Sequence, residues 1–143
     1  MPAPTDAMAA DALEYDVHIA ATPELVWRFW TDPDHLVRWM GRIATLEPRT
    51  GGIFRLDYGQ GDVASGQVLE ADPPRRLVFT WGWENPDDPI QPGGSTVEVS
   101  LEPHGTGTRL RLRHSGLDAA SRQGHDEGWQ YFLGRLSEAI AAA

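Results

Sequence analysis

Leu77-Val78-Phe79-Thr80-Trp81-Gly82-Trp83 decides the fold. In a strand, successive side chains point to opposite faces, so Leu77, Phe79, Trp81 and Trp83 share one face and Val78, Thr80 and Gly82 the other. Four large apolar groups on one sheet face need a wide cover, which a helix, a ligand or both can supply. The stretch therefore predicts a sheet with something packed across it, and a function built on the space between.

Upstream, Val63–Glu70 reads as a strand in which Gly66 suggests a bulge, and Asp72-Pro73-Pro74 stops it. Ile53–Tyr58 alternates with Phe54, Leu56 and Tyr58 on one face. Arg49-Thr50-Gly51-Gly52 makes a turn, and Ile43–Glu47 a short strand before it. Downstream, Glu84–Gly94 is a polar loop longer than a hairpin needs and is expected to be mobile. Ser95–Leu101 and Thr108–Ser115 form a hairpin, with Val97, Val99, Leu101, Leu110, Leu112 and His114 inward. Glu98, Arg109, Arg111 and Arg113 fall on the opposite face, as cross-strand ion pairs or, less simply, an anion-binding stripe.

The ends complete the order. Residues 1–13 lack periodicity and read as a disordered tail, with one folded domain over 14–143. Tyr15–Ala20 alternates as a first strand. Thr22-Pro23-Glu24 and Asp32-Pro33-Asp34 are helix starts, each with a capping side chain and a proline at the first helical position. The second of these two short helices is expected to run through Met40 and end at Gly41. The last element is a helix over about Ser121–Ala142, with Trp129, Phe132, Leu133, Leu136 and Ile140 at three- and four-residue spacing. Gly124, Gly128 and Gly134 each cost this helix about 1 kcal/mol relative to Ala. They imply close approach of another backbone or room for a ligand.

The sum is an α+β domain: an antiparallel sheet of six or seven strands against a long C-terminal helix, with two short helices after strand one.

Composition excludes much. The 143 residues include no cysteine, and all 12 basic residues are arginine. That removes disulfides, thiolate chemistry, lysine Schiff bases and the lysine of a phosphate-binding P-loop. The net charge of −9 disfavours nucleic acid and acidic membrane surfaces as partners. No run approaches the ~18 apolar residues of a membrane span, so membrane insertion is not expected. The N-terminal residues do not read as a secretory signal, and the expected location is cytoplasmic.

His18, His35, His104, His114 and His125 form no metal-ligand spacing, and neither a metal nor a cofactor is expected. There is no Gly-x-Ser-x-Gly elbow and no Gly-x-Gly-x-x-Gly loop. No residue is therefore assigned a catalytic role from motif alone. The candidate lining of a ligand cavity is Trp39, Phe54, Tyr58, Phe79, Trp81, Trp83, Leu112, His114, His125, Trp129 and Phe132. Ligand sites are mostly apolar with a few polar groups, which Tyr58, Trp81, Trp83 and His114 would supply here. Within the deciding strand, Leu77 and Phe79 are expected in the closed core and Trp81 and Trp83 at the mouth.

The chain resembles the START-like helix-grip superfamily, which includes the birch-pollen-allergen-like proteins and polyketide cyclases. More narrowly it resembles the branch like the activator of heat-shock protein 90 ATPase. The resemblance rests on Ala21-Thr22-Pro23-Glu24-Leu25-Val26-Trp27, Thr31-Asp32-Pro33, Arg38-Trp39 and Gly51-Gly52. It continues through Asp72-Pro73-Pro74-Arg75-Arg76-Leu77 to Trp81, Gly107-Thr108-Arg109-Leu110 and Gly128-Trp129. It covers about Tyr15 to Ile140 and implies a curved sheet gripping the last helix around a cavity. It implies binding of a hydrophobic, aromatic or lipid-like small molecule, and the aromatic face with the missing catalytic motifs points to binding without catalysis. One alternative is a cyclase or dehydratase using His114 or His125 as general base. Another is a module that stimulates a chaperone ATPase, although the chaperone-engaging N-terminal domain of the eukaryotic activators is not found in this sequence. A homodimer is left open.

Overall fold

The protein, seen in a computed structural model, is described for residues 12–143. Its elements are β1 (Ala12–Ile19), α1 (Pro23–Thr31), α2 (Pro33–Leu36), β2 (Ile43–Leu46), β3 (Ile53–Asp57), β4 (Val63–Asp72), β5 (Arg76–Trp83), β6 (Ser95–His104), β7 (Gly107–Ser115) and α3 (Ala119–Ala141). The seven strands form one sheet in the order β1-β7-β6-β5-β4-β3-β2, every neighbouring pair antiparallel. This is the α+β arrangement that the sequence implies, with a curved sheet, two short helices after strand one and a long helix last.

Strand β1 opens at Ala12, whose register partner is Ser115. Ala12 and Leu13, assigned to the tail from sequence, thus pair in the sheet, while residues 1–11 lie outside the described residues. Thr22 caps α1, its hydroxyl accepting from the Leu25 amide at 3.3 Å, and Asp32 caps α2 by accepting from Asp34 at 2.9 Å.

Helix α2 is shorter than expected. It stops at Leu36, and Arg38 and Trp39 bond three residues back, to His35 and Leu36. This tighter winding delivers Leu36, Trp39 and Met40 to the core, all at most 2% exposed. The Trp39 indole donates to the Phe29 carbonyl at 2.9 Å, which fixes the turn against α1.

The inward face of the central hairpin is in register as the alternation requires. Val97 lies opposite His114, Val99 opposite Leu112, and Leu101 opposite Leu110, all buried. The opposite face carries the ion pairs Arg76–Glu98 at 2.8 Å, Arg109–Asp16 at 2.5 Å and Arg113–Glu14 at 3.4 Å. The arginines are answered by carboxylates, so the ion-paired reading of this face holds over an anion-binding stripe.

Gly66 is not a bulge. It pairs with Phe54, and the register shift falls between Val68 and Glu70. A Cβ on Gly66 would stand 1.9 Å from the Thr80 carbonyl oxygen, so glycine is required there by close approach of the neighbouring strand.

The Glu84–Gly94 loop is tied down rather than free. The Trp83 amide donates to the Ile90 carbonyl at 2.7 Å, and the Gln91 side chain donates to the Asn85 and Asp88 carbonyls. Ile90 is only 5% exposed. The loop presses so closely on β5 that a Cβ on Gly82 would meet the Gln91 carbonyl at 1.8 Å.

Helix α3 crosses the inward face, burying Trp129, Leu133, Leu136 and Ile140. Two polar contacts secure it: the Tyr15 hydroxyl donates to Asp126 at 2.5 Å, and Arg135 donates to the Trp39 and Arg38 carbonyls at 3.3 Å. Among the described residues no helix is long and apolar enough to cross a membrane.

Candidate functional site

Sheet and helix do not close on each other along their whole length. Towards the Trp83 end of β5 they leave a cavity of about 580 Å³, partly open to solvent. Ligand pockets run from about 300 to 1,000 Å³, so the space suits a small molecule.

Tyr58 follows β3, Trp81 and Trp83 belong to β5, and His125, Trp129 and Phe132 to α3; all six line the cavity. The rings form an unbroken chain, Phe132 to Tyr58 at 5.8 Å, Tyr58 to Trp83 at 5.7 Å, Trp83 to Trp81 at 5.6 Å and Trp81 to Trp129 at 5.9 Å. Alternation in β5 and helical spacing in α3 bring them to one space.

The other five candidates do not reach the cavity. Trp39 lies in the turn after α2, its indole bonded to the Phe29 carbonyl of α1. Phe54 and Phe79 stack on each other with centroids 4.1 Å apart and are at most 1% exposed. Leu112 is 1% exposed under the helix. His114 lies behind Trp129 and is fully buried. The four strand residues face inward as alternation dictates, but the helix has already covered that part of the sheet.

Residues outside the candidate set complete the lining. Asp62 comes from the β3–β4 turn, Asn85 and Asp88 from the loop after β5, and Ser121, Gly124 and Gly128 from α3, with Met40, Gly61, Val63 and Ala120 between them. The glycines were legible: a Cβ on Gly124 or Gly128 would meet no heavy atom within 4 Å. Of the two readings of these helix glycines, open space therefore holds and backbone approach does not. The loop residues gave no signal, because periodicity says nothing about where an irregular segment points.

The histidines are engaged with tryptophans. The Trp129 indole donates to His114 Nδ1 at 2.9 Å, and His114 Nε2 sits 2.8 Å from the Ser95 hydroxyl, which donates to the Trp81 carbonyl at 2.8 Å. An indole only donates and a carbonyl only accepts. His114 is therefore the neutral imidazole that donates from Nε2 to Ser95 and accepts at Nδ1. Burial, with His125 alongside as the lesser cause, pushes it down from 6.5 to about 3. His125 has the opposite tautomer. Its Nδ1 donates to the Ser121 carbonyl at 2.8 Å, and its Nε2 accepts from the Trp83 indole at 3.1 Å.

A neutral imidazole has one lone-pair nitrogen, and in both rings an indole N–H occupies it. Neither histidine has a free base to offer a substrate in this arrangement. Two other polar groups are uncommitted. The Trp81 indole N–H is buried without a partner, and the Tyr58 hydroxyl has no protein hydrogen bond among the described residues; burial raises the Tyr58 pKa above that of an ordinary phenol.

The comparisons with known proteins agree with this architecture. The family model described as "Activator of Hsp90 ATPase homolog 1-like protein" matches residues 20–141. A protein of known structure from Mesorhizobium loti is 28% identical with a TM-score of 0.82, over 92% of this chain and 98% of that one. An AHSA1-like protein from Rhizobium etli is 40% identical with a TM-score of 0.73, over 91% and 81%. DynU16, a protein in the dynemicin biosynthetic locus, is 27% identical with a TM-score of 0.79; the match covers 92% of this chain and 47% of DynU16. No curated protein matches the chain.

Proposed function

The chain belongs to the activator of Hsp90 ATPase homolog 1-like family, and on that premise we propose that it binds a small, largely aromatic molecule in the space between β5 and α3. The observation that carries this reading is the pair Gly124 and Gly128, whose Cβ positions are open. Two glycines in one helix cost about 2 kcal/mol of propensity, and in return they leave room beside Trp81, Trp83 and Trp129. The place of DynU16 in a biosynthetic locus fits a small-molecule role.

Binding without turnover is favoured over a cyclase or dehydratase because the lone pairs of His114 and His125 are both taken by indoles. Isothermal titration against a panel of aromatic compounds tests the reading. Saturable one-to-one binding to the native chain, abolished in Gly128→Trp, is expected. Binding that survives Gly128→Trp unchanged places the site elsewhere.

A further inference from the structure

The charge of the lining is one-sided. Two acidic residues, Asp62 and Asp88, border the cavity, and among the described residues no arginine does. His125, the lining histidine, accepts from the Trp83 indole at Nε2 and donates from Nδ1 to the Ser121 carbonyl, so both ring nitrogens are engaged within the protein. An anionic ligand would thus find no arginine to pair with and two like charges near its path. The wall between is the ring chain from Phe132 through Tyr58, Trp83 and Trp81 to Trp129, and aromatic faces attract cations within about 6 Å.

We propose that this cavity selects aromatic amines, with the ring system against the tryptophans and the ammonium towards Asp62 and Asp88, and that it rejects carboxylates of the same shape. The proposal rests on the binding role argued above and names the ligand class of that site. Asp88 also accepts from the Ile90 amide through Oδ1 at 2.9 Å. Asparagine keeps an acceptor there, so Asp88→Asn removes the charge while retaining the loop's hydrogen bond.

The test is a calorimetric titration of the full chain with three probes that share one ring system: naphthylmethylamine, naphthylmethanol and naphthoate. The amine is expected to bind about tenfold more tightly than naphthoate at low salt, the size of one partly screened charge contact plus one cation–π contact. The alcohol is expected to fall between them. In Asp62→Asn/Asp88→Asn the amine-to-naphthoate ratio is expected to fall towards unity. Naphthoate binding as tightly as the amine, or a ratio unmoved by the double substitution, overturns the amine selectivity and leaves the binding role standing. Failure of all three probes to bind overturns the binding role itself, and the selectivity with it.

Discussion

Replacing Gly124 and Gly128 with alanine tests whether α3 faces open space. A Cβ at either position would meet no heavy atom within 4 Å, so the substitution carries no steric penalty. What remains is helix propensity, about 1 kcal/mol per glycine replaced. The double variant is expected to gain about 2 kcal/mol. At roughly 4 °C per kcal/mol for a domain of this size, that raises Tm by about 8 °C. Two controls bracket the result. Gly134→Ala is also unobstructed but lies outside the cavity lining, so it gains about 1 kcal/mol with no effect on ligand affinity. Gly66→Ala forces a Cβ to within 1.9 Å of the Thr80 carbonyl oxygen and is expected to cost roughly 3 kcal/mol. Urea denaturation read by circular dichroism gives the three free energies, and a thermal scan gives the Tm. A loss of stability in Gly124→Ala or Gly128→Ala would refute the placement of the helix, because a methyl group can only destabilise there by striking something.

Further consequences concern the buried histidine. Trp129→Phe keeps most of the packing but strips His114 Nδ1 of its donor, and should cost about 1–3 kcal/mol in the same denaturation assay; a neutral outcome would mean the indole–imidazole bond is not formed. The pH dependence has a definite sign. His114 is held near 3 when folded and sits at 6.5 when unfolded, so between these values the unfolded chain binds the extra proton. Stability therefore falls as pH drops below 6.5, by at most about 1.4 kcal/mol per pH unit. His114→Gln should flatten the profile between pH 6.5 and 5, and equal slopes in both proteins would contradict the burial argument.

Alternation and turn chemistry made most of the fold legible. Leu77, Phe79, Trp81 and Trp83 on one face, and His114 with Leu112 and Leu110 on another strand, lie where a period of two puts them. Thr22 and Asp32 cap helices as short polar side chains before proline do. What alternation could not say is how far the cover extends. It assigned Phe54, Phe79 and Leu112 to the same face as Trp81, and only the position of α3 along that face separates closed core from cavity. Trp39 was misplaced for a local reason, since the chain after Leu36 tightens and turns the indole towards Phe29. Asp62, Asn85 and Asp88 come from turns and loops, whose direction follows from individual hydrogen bonds such as Trp83 to Ile90. The same bonds hold the loop that its polar composition suggested would be free. Gly66, read from sequence as a bulge, is, like Gly82, a site where another backbone comes too close for any side chain.

The most direct test of the binding site uses the indole N–H signals of the six tryptophans. In a nitrogen–proton correlation spectrum recorded during titration with naphthylmethylamine, Trp81, Trp83 and Trp129 should shift together and saturate, while Trp27 and Trp39, outside the cavity lining, stay in place. Saturable binding that leaves the Trp81, Trp83 and Trp129 signals unmoved would contradict a site between β5 and α3.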